Sequence, residues 1–572
     1  MKTSFLSLMK GGAAATDDAP GAARRCGTHE RSILPTAGGR GSRSHDSREP
    51  VGPPGSQGPC QHGLWRLAQR RSLMARPVSA IPIALAVLLL LSPAVASSSQ
   101  TEDVDAFKDI PQLVDRLLLE WHVPGAAIGV VKDGAIVYMR GFGYRDVENK
   151  LKADERTLFC IGSCSKAFTS LAAAILVDEG KLDWDTPVIE YVPDFRLYDE
   201  YATRHATIRD LLCHRTGVAS HDELWKKSPF SRAELFRRLR YLQPIGEFRS
   251  TFEYSNLMSM AAGHILGRIN GGSWEELIEK RILSPLEMKR FRFSIGQAES
   301  DANFAHPYRH DGTAFQTCWY HVMDAIAPAG GVTTCVEDMC TWLLLHLNEG
   351  KYSDKALVSQ KNLRETHKPH VMLWSDGLEV EPFGAYCLGW VYSLFRGQRS
   401  LAHDGGTRGY QAVVQILPEK RLGLVFVSNA YGHYVDYIVL NTLVERFVGV
   451  EERDWNEHYR KRKSEPEEEV RHPQHDLIVP VALAETLVGR YEHPGYGTAA
   501  VALRDGRLRF TYNTNDCEMA YTGFNNFRLS SGWYRGLRLS VTLDLEGEVL
   551  SLAIPLQKGV DDIVFRRVRD KR

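Results

Sequence analysis

A serine and a lysine three residues apart, Ser163 and Lys166, have the types and the spacing that nucleophilic acyl transfer uses. A serine hydroxyl is a weak nucleophile at its ordinary pKa, but a nearby neutral amine can remove its proton. The apolar periodicity after Ser163 predicts a helix over 163–177, so both side chains lie on one face of it. The free N–H groups at the start of such a helix can also hold an oxyanion. For this pair alone, a capping serine and a solvated lysine are the simpler explanation.

Two later motifs change that interpretation. Tyr254-Ser255-Asn256 precedes a second helical pattern that runs through Ile269, and His403-Asp404-Gly405-Gly406 precedes a long predicted hairpin. Each has an ordinary structural explanation: a half-buried tyrosine, an asparagine that caps a helix, and a turn beside two glycines. Their occurrence together and in this order favours one shared chemical site.

The ordered motifs resemble the serine β-lactamase-like superfamily. The resemblance is closest to the branch of class C β-lactamases, D-Ala-D-Ala carboxypeptidases, D-aminopeptidases and related esterases, the S12 peptidases. That branch carries S-x-x-K, then Y-x-N, then K-T-G or H-x-G on a strand. The resemblance covers about 105–448, and residues 481–570 resemble the small barrel that follows the catalytic domain in many S12 members. Further stretches similar to the family are Pro124–Ala127, Gly180–Pro187, Thr207–His214, Ala329–Val332 and Leu388–Trp390.

The resemblance implies a role for each motif residue. Ser163 would be the acylated nucleophile, and Lys166 would orient it and share its proton. Tyr254 would be the general base that relays protons to the leaving group and later activates water. Asn256 would hydrogen-bond Lys166 or a substrate amide.

The third motif implies the oxyanion hole and a departure from the family pattern. Backbone N–H groups of Ser163 and Gly406 would hold the oxyanion, with Gly405 beside them in the substrate-binding strand. His403, the fifth implied catalytic residue, stands where many relatives have the lysine of K-T-G. A neutral imidazole is a weaker anchor for a substrate carboxylate than an ammonium, so a dedicated β-lactamase is not favoured.

The sequence therefore indicates an exported serine hydrolase that acts through an acyl-enzyme on peptides, amides or esters. Two alternatives stay open: a catalytically retired peptidoglycan-binding or scaffold protein of the cell envelope, and a true β-lactamase. No cofactor and no metal is expected, since the chain has no CxxC pair and no HExxH motif. The expected partner is a small-molecule or peptide substrate, including fragments derived from peptidoglycan. Seventy basic and seventy acidic residues give no electrostatic reason to expect nucleic acid.

The elements that must position these residues predict a mixed α+β domain over 105–448. Ala126–Val131 and Ala135–Tyr138 form a predicted hairpin, and Ala412–Leu417 with Leu422–Val427 form another, with helical patterns between. An antiparallel sheet built from both ends and flanked by helices, with an inserted helical region, fits this order. Residues 449–480 are highly charged and predict a linker, and 481–570 predict a small all-β barrel domain.

The N-terminal region, residues 1–96, predicts a disordered extension followed by a signal peptide. Its apolar segment lies within 78–96, where Ile81–Leu91 precedes Ala94-x-Ala96, a small-residue cleavage pattern. Met74 is the favoured start, and the periplasm or the extracellular space is the expected location. An organellar presequence and an uncleaved single-span anchor are the rival interpretations.

Cys160 and Cys164 flank the predicted nucleophile. We expect both to be small buried residues that pack the nucleophile's helix, as free cysteines usually do. A redox or metal role is the alternative, and the spacing of the cysteines assigns no disulfide pair.

Overall fold

The computed structural model describes residues 106–374, 381–463 and 477–569. The extension and signal peptide predicted over 1–96 lie outside the described residues. Within those three ranges, no helix is both long enough and apolar enough to span a membrane.

The helices and strands follow the mixed order that the sequence predicts. The helices are α1 Ile110–Glu120, α2 Ser165–Asp178, α3 Val188–Tyr191, α4 Glu200–His205, α5 Ile208–Leu212, α6 Arg232–Arg238, α7 Asn256–Ile269, α8 Trp274–Ile278, α9 Ile295–Ala298, α10 Ala327–Gly330, α11 Val336–Leu347, α12 Gln360–Thr366, α13 Val435–Val448, α14 Trp455–Lys463 and α15 Val481–Leu487. The strands are β1 Gly125–Lys132, β2 Ala135–Asp146, β3 Leu151–Lys152, β4 Phe159–Cys160, β5 Tyr308–His310, β6 Phe315–Thr317, β7 Thr333–Thr334, β8 Lys351–Tyr352, β9 Lys355–Ala356, β10 Val371–Trp374, β11 Gly384–Tyr386, β12 Val391–Phe395, β13 Gln398–Thr407, β14 Tyr410–Leu417, β15 Leu422–Ser428, β16 Gly489–His493, β17 Gly497–Arg504, β18 Arg507–Tyr512, β19 Asn515–Gly523, β20 Asn526–Leu529, β21 Arg538–Leu543, β22 Val549–Ile554 and β23 Ile563–Arg567.

The main sheet confirms the prediction that both ends of the domain build one antiparallel sheet. Its nine strands are ordered β10-β11-β12-β13-β14-β15-β1-β2-β3. The two predicted hairpins meet where β1 pairs with β15, with Ala126 opposite Ser428 and Lys132 opposite Leu422. Strand β13, which carries the third motif, pairs with β14 over its whole second half. The sheet therefore holds the third motif and the first hairpin in one layer, with β14 and β15 between them, although most of the domain separates them in sequence.

The central strands are buried on both faces. Along β1, Ala126, Ile128 and Val130 pack with α1 and α13, whereas Ala127 and Val131 pack with the helices of the opposite face, among them α2 and α11. Successive strand residues point to opposite faces, so a strand covered on both sides is apolar throughout. The unbroken apolar run that predicted this strand is explained by that double burial.

Residues 489–567 form a closed barrel of strands β16 to β23, as the predicted all-β domain requires. Each strand pairs with the next, and β16 closes the barrel by pairing with β23. Closure leaves no edge strand with unpaired backbone groups, which stabilises a small all-β unit.

The predicted linker contains a helix near its start, which the charge pattern does not predict. Helix α14 lies inside the predicted range 449–480, and its Trp455 and Tyr459 are buried. The Trp455 indole donates to Glu445 at 2.9 Å, and the Tyr459 ring stacks on Tyr434 at 4.7 Å. Two aromatic anchors thus dock a helix whose other residues are polar or charged. Residues 464–476 lie outside the described ranges.

The Trp455→Ala substitution tests whether α14 belongs to the domain that contains the main sheet. Removing a buried tryptophan and its hydrogen bond should lower the free energy of unfolding by about 3–5 kcal/mol. Chemical denaturation followed by circular dichroism measures it. Leu119→Ala is the control, because Leu119 is 79% exposed and its truncation should change little. Equal stability of the two variants would show that α14 is a detached linker.

Candidate active site

Helix α2 begins two residues after Ser163, carries Lys166 and runs through the centre of the domain. The sequence predicts an amphipathic helix, but every residue from Ser165 to Leu176 is buried. Its polar side chains bond internally: Ser165 donates to the Gly162 carbonyl at 2.6 Å, and Thr169 donates to the Pro328 carbonyl at 2.8 Å. Small and internally satisfied side chains allow neighbours to pack on all sides of this helix.

Ser163 lies in a tight turn just before α2, where glycines permit close backbone approach. Gly162 has a φ of +50°, a conformation that favours glycine. A Cβ atom on Gly162 would lie 2.7 Å from the Gly406 nitrogen, and one on Gly405 would lie 2.9 Å from the Ser163 nitrogen. The backbone of the turn therefore contacts the backbone of β13. The N–H groups of Ser163 and Gly406 come from these two neighbouring segments.

Lys166 is 1% exposed, and its amine lies among three oxygens. Nζ is 3.0 Å from Ser163 Oγ, 2.9 Å from Asn256 Oδ1 and 2.7 Å from the Ala329 carbonyl oxygen. Burial lowers the pKa of this amine to about 7, although Asp222 nearby opposes the shift. A neutral amine fits the three contacts, since two N–H groups serve Asn256 and Ala329 and the lone pair accepts the Ser163 hydroxyl proton.

Tyr254 completes the hydrogen bonds of the nucleophile. Its hydroxyl donates to Ser163 Oγ at 2.8 Å, and the Lys166 amine lies 4.7 Å from the centre of its ring. Burial raises the pKa of Tyr254 well above its ordinary value, so the phenol keeps its proton at neutral pH. The His214 ring packs against it at 4.6 Å and holds the ring plane.

Asn256 is the first residue of α7, and its amide bridges the Lys166 amine and the Asp222 carboxylate. Its Oδ1 accepts from Lys166, and its Nδ2 donates to Asp222 Oδ1 at 3.2 Å. The Trp225 indole donates to the same oxygen at 2.8 Å. Because the carboxylate can only accept, it fixes which way the Asn256 amide points. Asp222 therefore keeps the amide oxygen aimed at Lys166.

His403 is placed differently from the role that the resemblance implies. Its ring is 1% exposed in the wall behind the cleft, and among the described residues the cavity lining includes its neighbours Asp404, Gly405 and Gly406 but not His403. Nδ1 is 2.5 Å from the Asp404 carbonyl oxygen, so Nδ1 carries a proton and Nε2 accepts from the Tyr386 hydroxyl at 3.0 Å. Burial lowers the pKa of His403 to about 3, so the ring stays neutral. The hydrogen bond from Tyr386 to His403 positions Tyr386, and the Tyr386 ring in turn packs on the Tyr254 ring at 6.3 Å.

A cleft of about 1170 Å³ opens above Ser163. The barrel domain contributes part of its wall, and these residues are Trp533, Leu556, Gln557, Lys558 and Gly559. Aromatic rings gather there: Trp533 lies 5.8 Å from Trp319 and 5.6 Å from His321. A cleft with aromatic walls and a few polar groups around a nucleophile is the usual form of a small-molecule site.

The barrel also holds the segment 220–226 that carries Asp222. Gln557 Oε1 accepts from the backbone N–H of His221 at 2.6 Å. The Trp533 indole donates to Glu223 Oε2 at 2.8 Å, and Asn513 donates to the Glu223 carbonyl at 3.1 Å. The barrel is thus connected to Lys166 through this segment and Asn256.

The sequence assigns no role to several of these residues. Asp222 and Tyr386 belong to no motif, and His214 and Ala329 lie in stretches that are similar to the family but carry no assigned role. Only the fold brings these residues to the predicted ones. Trp533 belongs to another domain. Asp404 lies inside the third motif, but it occupies the x position of H-x-G, where the pattern allows any residue.

The cysteines that flank Ser163 are buried, as expected for packing residues. Cys164 Sγ lies 3.2 Å from the His403 carbonyl oxygen, and burial raises the pKa of Cys160 to about 12, so neither is a reactive thiolate. The cysteines in the described ranges are free thiols. Within those ranges, one cluster has the spacing of metal ligands, Cys335 with Glu337 and Asp338, and it lies outside the cleft lining.

Comparisons with known proteins agree with this fold. The sequence is 26% identical over 462 residues to "Unguisins hydrolase ungD'" of Aspergillus campestris, covering 74% of this chain and 84% of that protein. It is 27% identical over 354 residues to "Protein flp" of Staphylococcus aureus strain N315, covering 59% of this chain and 67% of that protein.

A solved structure of the octameric penicillin-binding protein homologue from Pyrococcus abyssi superposes with a TM-score of 0.55. It covers 80% of this chain and all of its own chain at 22% identity, which is a likeness of fold. The model of the Beta-lactamase family matches residues 110–447, which is more than half of the chain and includes all three motifs. The chain belongs to the Beta-lactamase family.

Proposed function

We propose that the chain is a serine hydrolase of the S12 type that forms an acyl-enzyme at Ser163 on a peptide, amide or ester. The observation that carries this proposal is the buried Lys166 amine, hydrogen-bonded to Ser163 Oγ and held by two other oxygens. An apolar side chain would pack in this position at a lower cost than a lysine, so packing alone does not explain Lys166. A relative named as a hydrolase, at 26% identity over most of its length, supports the same class.

The geometry suggests an order for the proton transfers. Neutral Lys166 takes the Ser163 proton as Oγ bonds to the substrate carbonyl carbon. The backbone N–H groups of Ser163 and Gly406 hold the negative oxygen of the tetrahedral intermediate. Tyr254 passes a proton to the leaving nitrogen or oxygen, and the Lys166 ammonium replaces that proton. In deacylation, water attacks the acyl carbon, the same groups transfer its protons in the reverse order, and Ser163 is released.

This assignment moves the base role from Tyr254 to Lys166. Burial lowers the pKa of the lysine towards neutrality and raises that of the tyrosine. A base has to be unprotonated at the working pH, so the lysine suits removal of the Ser163 proton, and the tyrosine suits its delivery. Export remains a prediction from the N-terminal sequence, since residues 1–105 lie outside the described ranges.

Labelling of the purified protein tests the nucleophile. A fluorophosphonate should add once to the wild type and not to Ser163→Ala, because Ser163 lines the cleft and lies beside the Lys166 amine. Intact-mass spectrometry measures the adduct, and circular dichroism checks that the variant is folded. A folded wild type without an adduct would favour the retired binding protein.

Penicillin, applied in the same experiment, separates the remaining alternatives. A penicillin adduct that persists supports a peptidase-like enzyme. An adduct that is released with rapid nitrocefin turnover supports a true β-lactamase.

The pKa of Lys166 predicts the pH dependence of acylation. Because the unprotonated amine is the active form, the rate should be low in mild acid, rise as pH passes about 7 and then level off. The second-order rate of fluorophosphonate labelling, followed across that range, measures this limb. Lys166→Arg, which keeps the positive charge and cannot act as a base, should lose roughly 100-fold or more at every pH. A wild-type rate independent of pH would contradict Lys166 as the base.

Asp222 provides a test of the positioning contacts. In Asp222→Ala the Asn256 amide loses its acceptor and can turn its N–H₂ towards Lys166, which removes one of the amine's acceptors. The labelling rate should fall by about tenfold, equivalent to 1.4 kcal/mol. Asp115→Ala, an exposed aspartate on α1 outside the cleft lining, is the matched control. Equal rates in both variants would show that the Asp222 contact is dispensable.

A further inference from the structure

Asp404 presents a carboxylate in the cleft that the proposed chemistry does not use. It lies on β13 between His403 and Gly405 and lines the cavity above Ser163. Its Oδ1 is buried, and within the described ranges no side chain or backbone group of another residue hydrogen-bonds that oxygen. A buried, unbonded carboxylate oxygen is costly, so an interaction missing from the free protein should compensate it.

The charges around Asp404 leave room for a positive ligand. Burial raises the pKa of its carboxyl to about 6, and Lys166 opposes that shift, so the group is mainly ionised at neutral pH. No ion pair joins the two, because the Lys166 amine is directed to Ser163, Asn256 and the Ala329 carbonyl. Lys166 is thus a nearby charge that favours the ionised form of Asp404 without being its ion-pair partner.

The cleft's other acidic groups differ from Asp404 in their partners. Asp222 accepts from Asn256 and Trp225. Glu223 accepts from Trp533 at 2.8 Å and from Lys226 at 3.2 Å. Glu253 is half-buried and adjoins Tyr254 in sequence, so it is the alternative that a test must separate from Asp404.

We propose that Asp404 receives an ammonium group of the substrate, next to the bond that is cleaved. This inference rests on the proposed acyl transfer at Ser163. Asp404 and Gly406 are two residues apart on one strand, so their backbones are about 7 Å apart. Gly406 holds the oxygen of the reacting carbonyl, which places the ammonium within one residue of that carbonyl. The substrate class is then an amide, peptide or ester with a free amino group adjacent to the scissile bond.

The same carboxylate disfavours substrates that carry a negative charge at this point. An acidic side chain repels a substrate carboxylate and attracts an amine, so it contributes to specificity in both directions. Neutral His403, turned towards Tyr386, provides no opposing positive charge. Asp404 is therefore a specificity-determining residue, and His403 is not the anchor of a carboxylate.

Three boronic acids that differ only in charge provide the test. Phenylboronic acid, 3-(aminomethyl)phenylboronic acid and 3-carboxyphenylboronic acid each form a reversible bond between boron and Ser163 Oγ. Their dissociation constants follow from the protection of Ser163 against fluorophosphonate labelling of the full chain. The aminomethyl compound should bind about 10- to 100-fold more tightly than the uncharged one, and the carboxylate more weakly.

Two variants assign the preference to a residue. Asp404→Asn should remove the difference in affinity between the amine and the uncharged compound. Glu253→Gln should keep the difference. A preference that disappears in Glu253→Gln and survives in Asp404→Asn would overturn the assignment to Asp404.

The wild type alone can also overturn the inference, which matters if a variant fails to fold. Equal affinities for the three boronic acids, with Ser163 labelled normally, would refute ammonium recognition and leave the proposed hydrolase intact. Failure of both fluorophosphonate and phenylboronic acid to modify Ser163 would refute the hydrolase itself, and the inference would fall with it.

Discussion

The interior of the Beta-lactamase domain is organised around one buried amine. Lys166 is withdrawn from water in the first turn of a helix that is packed on every side, and an ionised amine there would be costly. The domain resolves this by lowering the pKa of the amine to about 7 and by surrounding it with oxygens from three different parts of the chain. Each oxygen must be held in place for the arrangement to work, and most of the remaining site serves that purpose.

The supporting contacts extend outward from Lys166 in layers. Asn256 is oriented by Asp222, Asp222 lies on a segment held by the barrel domain, and Tyr254 is packed between His214 and Tyr386. The barrel is consequently more than an appended module, because it supplies part of the cleft wall and also contacts the segment that orients Asn256. A shift in the barrel would reach the proposed nucleophile through a short path of hydrogen bonds.

Four of the five residues that the motifs single out lie in one hydrogen-bonded group. Ser163 lies just before the helix that carries Lys166, so local spacing is enough to place these two side chains together. His403 is the exception, since its ring turns away from the cleft to Tyr386. Side-chain direction on β13 depends on the partner across the fold, which spacing along the chain does not contain. The charge pattern likewise suggested a linker at 449–480 and gave no sign of α14, because the two aromatic residues that dock it are outnumbered by charged ones.

The sequence by itself determined the type of fold, the three ordered motifs and the presence of a separate all-β domain. These follow from periodicity, turn residues and short-range spacing, which act within a few residues of each other. Only the tertiary structure decided which oxygens surround Lys166, where the His403 ring points, that the barrel forms part of the cleft wall, and that Asp404 Oδ1 has no hydrogen-bond partner among the described residues. Those features depend on distances between segments far apart in the chain, and burial, which sets the charge states, exists only once the chain has folded.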